Sequence, residues 1–341
     1  MPARDPLRLP ILVLLFGGAV AAALFVDPYR LTIVIEIAIL VIFVLSIDFL
    51  VGYAGLVTFG HAGFMGVGAY ALAYTSHFLG WPTGVSILAA VALGAIAGIV
   101  IGALVTRVTG VFFIMVTLAV SMMFWAWASK ARKFGADDGL GGMKRMDLKF
   151  AGIDLNNDRV FAIVCVVLAV LVYSLFVWLA RSPFGQTLKA IKQNENRARA
   201  QGCPVQHYKV AAFAIAGAVA AFAGALHLQN TRFVHPEVAH WLRSGEGLIV
   251  VIVGGAGTLT GPVIGGFLFV LFHRTVESFT EHWQIWMGLL FVAIVLAAPD
   301  GIYGRLTSLV RRKPRVDAPA PAAASATGPI GEAAPRESAG A

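Results

Sequence analysis

The stretch SPFGQTLKAIKQNENRARAQG, Ser182 to Gly202, stands between two blocks of almost pure hydrocarbon, 159–180 and 209–229. Each block holds the roughly 20 apolar residues that a helix needs to cross a bilayer. The stretch between them does not. Within 181–209, Arg181, Lys189, Lys192, Arg197, Arg199 and Lys209 are set against Glu195 alone. Short loops this rich in Lys and Arg stay on the cytoplasmic side, so the pattern reads as two spans joined by a cytoplasmic elbow. Ser182 can cap a helix that has Pro183 at its first position. Phe184, Leu188 and Ile191 then recur at helical spacing as one narrow apolar stripe. Asn194-Glu195-Asn196 marks a bend, Glu195 stands four residues before Arg199, and Gly202 with Pro204 closes the unit. A short helix, a bend and a second short helix are expected. Two uses compete for them. An amphipathic helix can lie on anionic headgroups, but the small Ala198, Ala200 and Gly202 beside three apolar knobs suit a protein groove better.

Working outward, the composition agrees with this reading. Of 341 residues, 58% are hydrophobic and only 13% charged, half the charge of a soluble domain; the mean hydropathy is +0.80. The fold class is therefore an all-α polytopic membrane protein, with about 8–10 transmembrane helices including broken or re-entrant glycine-rich elements. Clear spans are 9–26, 31–51, 84–105, 110–129, 159–180, 209–229 and 283–299, and 55–79 and 247–272 are apolar but dense in glycine. The run after Arg4 and Arg8 outlasts a usual signal core and is taken as a retained first span. The 130–159 connection mixes Asp with Lys and Arg and is assigned to the outer face. Arg305 to Arg315 holds five basic residues and no acid, which places it with the elbow in the cytoplasm. Both basic segments share a side only if 247–272 makes no net crossing, or crosses twice in short pieces. The expected organisation is a cytoplasmic N-terminus (1–8), a transmembrane region (9–305) and a cytoplasmic tail (306–341), basic at first and disordered from Pro314 onward.

The two glycine-rich segments read VGYAGLVTFGHAGFMGVGAYALA (51–73) and GEGLIVVIVGGAGTLTGPVIGGFLF (245–269). Glycine weakens a helix by about 1 kcal/mol against alanine. Unpaired backbone inside a bilayer persists only where protein or a wet cavity shields it. Gly254, Gly255 and Gly257, followed by Gly261-Pro262, are expected to break the helix towards the bundle interior. Lining of a route and close helix packing are both open for these segments. For Gly94, Gly98 and Gly102, spaced by four on one face, packing is the reading. Ionisable groups at membrane depth are Glu36, Asp48, His61 and His227. Each is a functional hypothesis there: Glu36 is assigned to a pairing with a neighbouring helix, Asp48 to the membrane edge, and His61 to a polar route beside Thr58.

Several functions lack their residues. Gly66-Val-Gly68-Ala-Tyr-Ala71 matches a loose dinucleotide pattern with no strand before it, and Pro262 stands where a phosphate loop needs Lys followed by Ser or Thr. Histidines are dispersed without ligand spacing, and Cys165 and Cys203 imply neither disulfide nor metal site. An intramembrane enzyme has no spaced nucleophile and base. A secondary carrier or channel would have to use Glu36, Asp48 and His61.

The segment FGQTLKAIKQNENRARAQGCPVQHYKVAAFAIAGAVAAFAGAL (184–226) resembles the coupling segment and following span of permease subunits in branched-chain amino acid ABC importers. Gly185, Leu188, Ala190, Ile191, Asn194, Glu195, Ala198 and Gly202 stand at the places of that family's G-R-A-L-x-A-I-R-E-N-E-x-x-A-x-x-L-G pattern, with Phe184 just ahead. GYAGLVTFGHAGFMGVGAYALA (52–73), GVFFIMVTLAVSMMFW (110–125), GGAGTLTGPVIGG (254–266) and PDGIYG (299–304) also agree. The resemblance implies a multi-pass inner-membrane permease working with a second homologous permease, two cytoplasmic ATPase subunits and an extracytoplasmic solute-binding protein. No nucleic acid is involved. No cofactor is expected in this chain, since ATP and magnesium would sit on the partner ATPases. The elbow residues named above would take the ATPase thrust. The translocation pathway would involve Gly55, Thr58, Gly60, His61, Gly63, Gly66, Gly68, Thr117, Gly254, Gly255, Gly257, Gly261 and Pro262. The implied solute is a branched-chain or other amino acid; urea and aromatic carboxylates are alternatives within the family.

Overall fold

A computed structural model describes residues 8–25, 27–143, 145, 155–280, 282–298 and 301–310. The sequence N-terminus (1–7), the tail beyond 310 and residues 144 and 146–154 of the 130–159 connection therefore lie outside the described residues. The chain is a bundle of helices: α1 (Arg8–Phe25), α2 (Pro28–Asp48), α3 (His61–Ala73), α4 (Thr83–Val105), α5 (Val111–Lys130), α6 (Asp158–Arg181), α7 (Pro183–Gln193), α8 (Glu195–Ala200), α9 (Val205–Thr231), α10 (Trp241–Gly254), α11 (Thr260–Glu277), α12 (Trp283–Ala297) and α13 (Gly301–Val310). Two helices widen into π-helical turns, α2 over Phe49–Ala54 and α3 over Tyr74–Phe78. Among the described residues, five helices are long and apolar enough to cross a membrane: Leu31–Ala54, Thr83–Val105, Val111–Lys130, Asp158–Arg181 and Val205–Thr231. α1 and α12 carry shorter apolar runs.

The apolar window of α2 is 83% buried within the chain, against 22% for α4 and α5. α2 is thus the central post, and α4 and α5 present much of their hydrocarbon outward. α4 and α9 run antiparallel in close contact: Gly94 meets Ala221 and Gly217, Gly98 meets Phe213, and Gly102 meets Phe213 and Val210. The expected packing face of three glycines is borne out, since only a missing Cβ lets the backbones come this near. Thr106 at the end of α4 accepts a hydrogen bond from Gln206 at the start of α9 (2.9 Å). At the opposite end, β1 (Leu140–Gly141) pairs antiparallel with β2 (Phe233–Val234), tying the loop after α5 to the loop after α9. The bundle therefore has an elbow end, with α7 and α8, and a strand end.

Both glycine-rich segments are interrupted. After Gly55, which is left-handed (φ 72), residues 55–60 return into the bundle as irregular chain. α3 begins only at His61, level with Thr117 and Ser121 near the middle of α5. The second segment breaks after Gly254 and resumes at Thr260. Gly254 lies against Gly261, and Gly265 against Val250, so α10 and α11 fold back on each other as a hairpin. α10, with 14 residues, is about 21 Å long and too short for a hydrocarbon core of about 30 Å. It too starts inside the bundle, where Ser121 donates to the carbonyl of Ala239 (2.9 Å). In place of one span over 247–272 there are two helices, a short α10 of 14 residues and an α11 of 18, folded back on each other.

Gly98→Val places a branched side chain against the carbonyl of Phe213, where no rotamer relieves the contact. We expect a loss of about 1–3 kcal/mol, read as a lowered Tm of the detergent-purified chain. Gly288→Ala, at a position with open space around it, should leave Tm unchanged or raise it.

Candidate functional site

The elbow is built as its residues require. The Ser182 hydroxyl accepts from the Gly185 amide (3.4 Å) and donates to the Leu179 carbonyl (2.6 Å). Asn194 caps α8 by accepting from the Arg197 amide (2.9 Å). Phe184 stacks on Tyr208 with centroids 5.5 Å apart. Leu188 and Ile191 are fully buried, and Ala198 nearly so. Ile191 and Ala198 pack with Val205, Cys203 and Tyr208. The groove that takes the apolar stripe is thus the chain's own. Gly185 is also inside, against Ala180. Of the nine elbow residues singled out by sequence, Ala190, Asn194 and Gly202 are exposed and Phe184 and Glu195 partly so.

Glu195 holds the second half of the elbow to the bundle. One carboxylate oxygen accepts from Arg199 (2.7 Å), the expected i,i+4 pair, and the other from Lys209 at the start of α9 (2.7 Å). The Lys209 side chain is only 5% exposed. Burial on its own raises the carboxyl pKa, but the hydrogen bonds and charges of Lys209 and Arg199 outweigh it and hold Glu195 below its ordinary range.

From α7, contacts lead directly inward. The Lys189 ammonium lies over the Tyr53 ring, 4.7 Å from its centroid. The Lys192 ammonium donates to the Gly52 carbonyl (2.8 Å), and its stem covers left-handed Gly55. One turn back, Asp48 is fully buried rather than at the membrane edge. Its Oδ1 accepts from the Gly257 amide (2.5 Å) and its Oδ2 from the Leu259 amide (3.1 Å). The sequence reading missed this role, because the donors are backbone groups more than 200 positions away. The turn needs such a partner. Gly255 and Gly257 have positive φ, as does Leu259 (φ 61), a conformation that costs a bulky residue free energy. Thr258 completes it, accepting from the Gly261 amide (2.9 Å) and donating to the Gly255 carbonyl (2.8 Å). Pro262 follows in the first turn of α11.

The remaining nominated residues form a second cluster at mid-depth. Thr58 accepts from the Gly60 amide (3.1 Å) and Thr117 from the Phe59 amide (3.3 Å). The Ala62 amide donates to the Ser244 hydroxyl (2.7 Å), so the first turns of α3 and α10 meet. The His61 Nε2 lies 2.7 Å from the Ser46 hydroxyl, its ring between Phe43 and Phe64. Gly60, Gly63, Gly66 and Gly68 press on Thr117, Ser121, Phe124 and Ala221, respectively; their geometry is that of close packing. A cavity of about 340 Å3 opens beside this cluster, reaching from Glu36 to Phe43 and Met65. None of the nominated pathway residues lines it; Glu36 and His227 do. Glu36 pairs with Arg274 of α11, the neighbouring-helix partner expected for it. Arg243, Glu246 and Arg274 went unnoticed in the sequence because they fall near the ends of apolar runs. Glu36 needing a partner was the available signal. Among the described residues, no group of three His, Cys, Asp or Glu side chains is placed to hold a metal ion.

Comparison with known proteins bears on this geometry. The profile of the family described as branched-chain amino acid transport system / permease component matches residues 29–298. The chain belongs to that family. It is 28% identical over 313 residues to the high-affinity branched-chain amino acid transport system permease protein LivM of Escherichia coli, covering 85% of this chain and 74% of the relative. A LivM of Salmonella typhimurium is also 28% identical, over 77% of this chain and 67% of its own. The fructose import permease protein FrcC of Rhizobium meliloti is 22% identical, covering 86% and 84%. No solved structure matches the chain. The permease match spans α2 to α12, and with it both interrupted segments and the elbow.

Two outcomes follow for the permease. Glu195→Gln leaves buried Lys209 without its counter-charge, and we expect a loss of about 2 kcal/mol, seen as a lowered Tm at neutral pH. Because the folded-state pKa of Glu195 is depressed, its contribution is complete above the ordinary carboxylate range. It fades as pH falls through the lower folded value, so wild type and variant should converge in acid. Asp48→Asn leaves one backbone amide of the turn without an acceptor, with an expected loss of about 1–3 kcal/mol by the same measurement.

Proposed function

We propose that the chain is one of two permease subunits of an importer, moving a small amphipathic solute inward on the thrust of ATP hydrolysis by partner subunits. The solute class proposed is branched-chain or other amino acids. The partners are a second homologous permease, two cytoplasmic ATPases, which carry the ATP and magnesium, and an extracytoplasmic solute-binding protein. The elbow end would face the cytoplasm with the N- and C-termini, in the inner membrane of a bacterium. One observation carries the reading: in a chain of this permease family, an exposed basic helical elbow grips, through Lys192, the turn of α2 that neighbours the helix break. Movement of α7 would reach Gly52, Asp48 and the 255–259 turn through direct contacts. Around that break, Gly254, Gly255, Gly257, Gly261 and Pro262 supply the hinge. Gly55, Thr58, Gly60, His61 and Thr117 set where α3 begins, and Gly63, Gly66 and Gly68 set how closely it packs. Similarity to a fructose permease favours a sugar as the second solute class.

The test uses exposed positions, because changes at Leu188 or Ile191 would unfold the elbow whatever its role. Ala190→Glu alters the exposed face of α7 only. In proteoliposomes of the assembled complex we expect uptake and solute-stimulated ATPase activity to fall about 10-fold or more, with the Tm of the isolated chain unchanged. Undiminished ATP-driven uptake would refute the role of the elbow.

A further inference from the structure

The first turns of α10 open on the cavity of about 340 Å3, a size usual for small-molecule sites. Its walls divide by chemistry. Ile39, Leu40, Phe43, Met65 and Phe269 are among its large apolar lining residues. Arg243, Glu246, Glu237, Glu36 and Arg274 also line it, with His227, His240 and His273. The charged groups differ in how far they satisfy one another. The Arg274 guanidinium is committed to both oxygens of Glu36 and to Glu277 (3.1 Å). Arg243 and Glu246 are not. Their nearest approach is 3.8 Å, outside hydrogen-bond reach. Among the described residues, no other side-chain partner holds either of them. They stand three residues apart on one helix, which fixes the gap between a cation and an anion.

We propose that this cavity holds a zwitterionic amphipathic solute, an α-amino acid. Its carboxylate lies on the Arg243 guanidinium, its ammonium on Glu246, and its side chain against Ile39, Leu40, Phe43 and Met65. The assignment rests on the importer reading and goes beyond it, because it gives this chain a share in choosing the solute. Electrostatics decides the class. Arginine takes a carboxylate through two parallel N–H donors, and Glu246 is left to answer a cation. An anionic solute would satisfy Arg243 and set like charge beside Glu246. A neutral solute such as urea or a sugar would bring a counter-charge to neither of the two half-exposed groups. Position agrees with passage. The cavity begins at Glu36, near the start of the apolar run Leu31–Ala54, and ends at Phe43, near its middle. There the Phe43 ring packs on His61, at the mid-depth start of α3.

The experiment uses the whole complex with its binding protein in proteoliposomes, with leucine as probe and 4-methylvalerate, urea and fructose as comparison solutes. In the wild type, leucine should drive uptake and stimulate ATPase activity. Arg243→Gln and Glu246→Gln should each reduce leucine uptake about 10-fold or more, with subunit stoichiometry as in the wild type. A second measurement does not depend on transport. A water-soluble maleimide should label the thiol that L40C introduces, in a C203S background, several-fold more slowly in leucine, and Glu246→Gln should remove that protection. Wild-type leucine uptake with more than half retained in both Gln variants, or labelling that leucine does not slow, overturns the cavity assignment and leaves the importer reading standing. Transport and protection by urea, fructose or 4-methylvalerate in place of leucine overturns the zwitterion. If no solute stimulates ATPase activity, the importer reading fails and the assignment falls with it.

Discussion

A carboxylate enclosed in a bilayer has to find hydrogen-bond donors, and backbone amides freed by a broken helix have to find acceptors. Asp48 settles both needs at once, taking the amides of Gly257 and Leu259. Each carboxyl oxygen accepts one backbone N–H, and at this point these bonds hold three parts of the chain together. α2 supplies the carboxylate, and the α10–α11 hairpin supplies the turn. The elbow closes on the adjacent turn of α2 through Lys192 and Lys189. Remove the carboxylate and the left-handed Leu259 loses the bond that offsets its strain.

Around this junction, glycine acts in two different ways. In α4, and in α3 from Gly63 to Gly68, its missing Cβ lets helices touch, and the backbone stays regular. At Gly55, Gly255 and Gly257 its tolerance of positive φ lets the chain turn where other residues would strain. The result is two half-helices, α3 and α10, whose first turns meet at mid-depth through Ala62 and Ser244. Irregular backbone of this kind survives in a membrane because protein surrounds it.

The charged cavity and the elbow stand at different levels of the same frame. The elbow grips the end of α2 at Gly52, while Glu36 to Phe43, along the earlier part of the same helix, form one wall of the cavity. α10 runs between them, with Arg243 and Glu246 near its start and Gly254 at its end. A displacement of the elbow that moved α2 against the hairpin would therefore alter the cavity without any separate signalling element.

The sequence by itself determined the elements whose signal is local. Apolar length marks the spans, charge sets off the elbow, and the residues Ser182, Pro183, Asn194 and Gly202 punctuate it. Spacing by four announces the packing face of Gly94, Gly98 and Gly102, and glycine density announces the breaks near 55–60 and 255–259. Tertiary structure alone decided which way these features face. The stripe of Leu188 and Ile191 turned inward onto the chain's own core, Asp48 went to the centre of a junction, and Arg243, Glu246 and Arg274 came together around one cavity. For Asp48 and for the Glu36–Arg274 pair the physical reason is the same. A hydrogen bond or ion pair is specified by both partners, and here the partners are more than 200 positions apart, so neither periodicity nor composition along the chain can report which groups will meet.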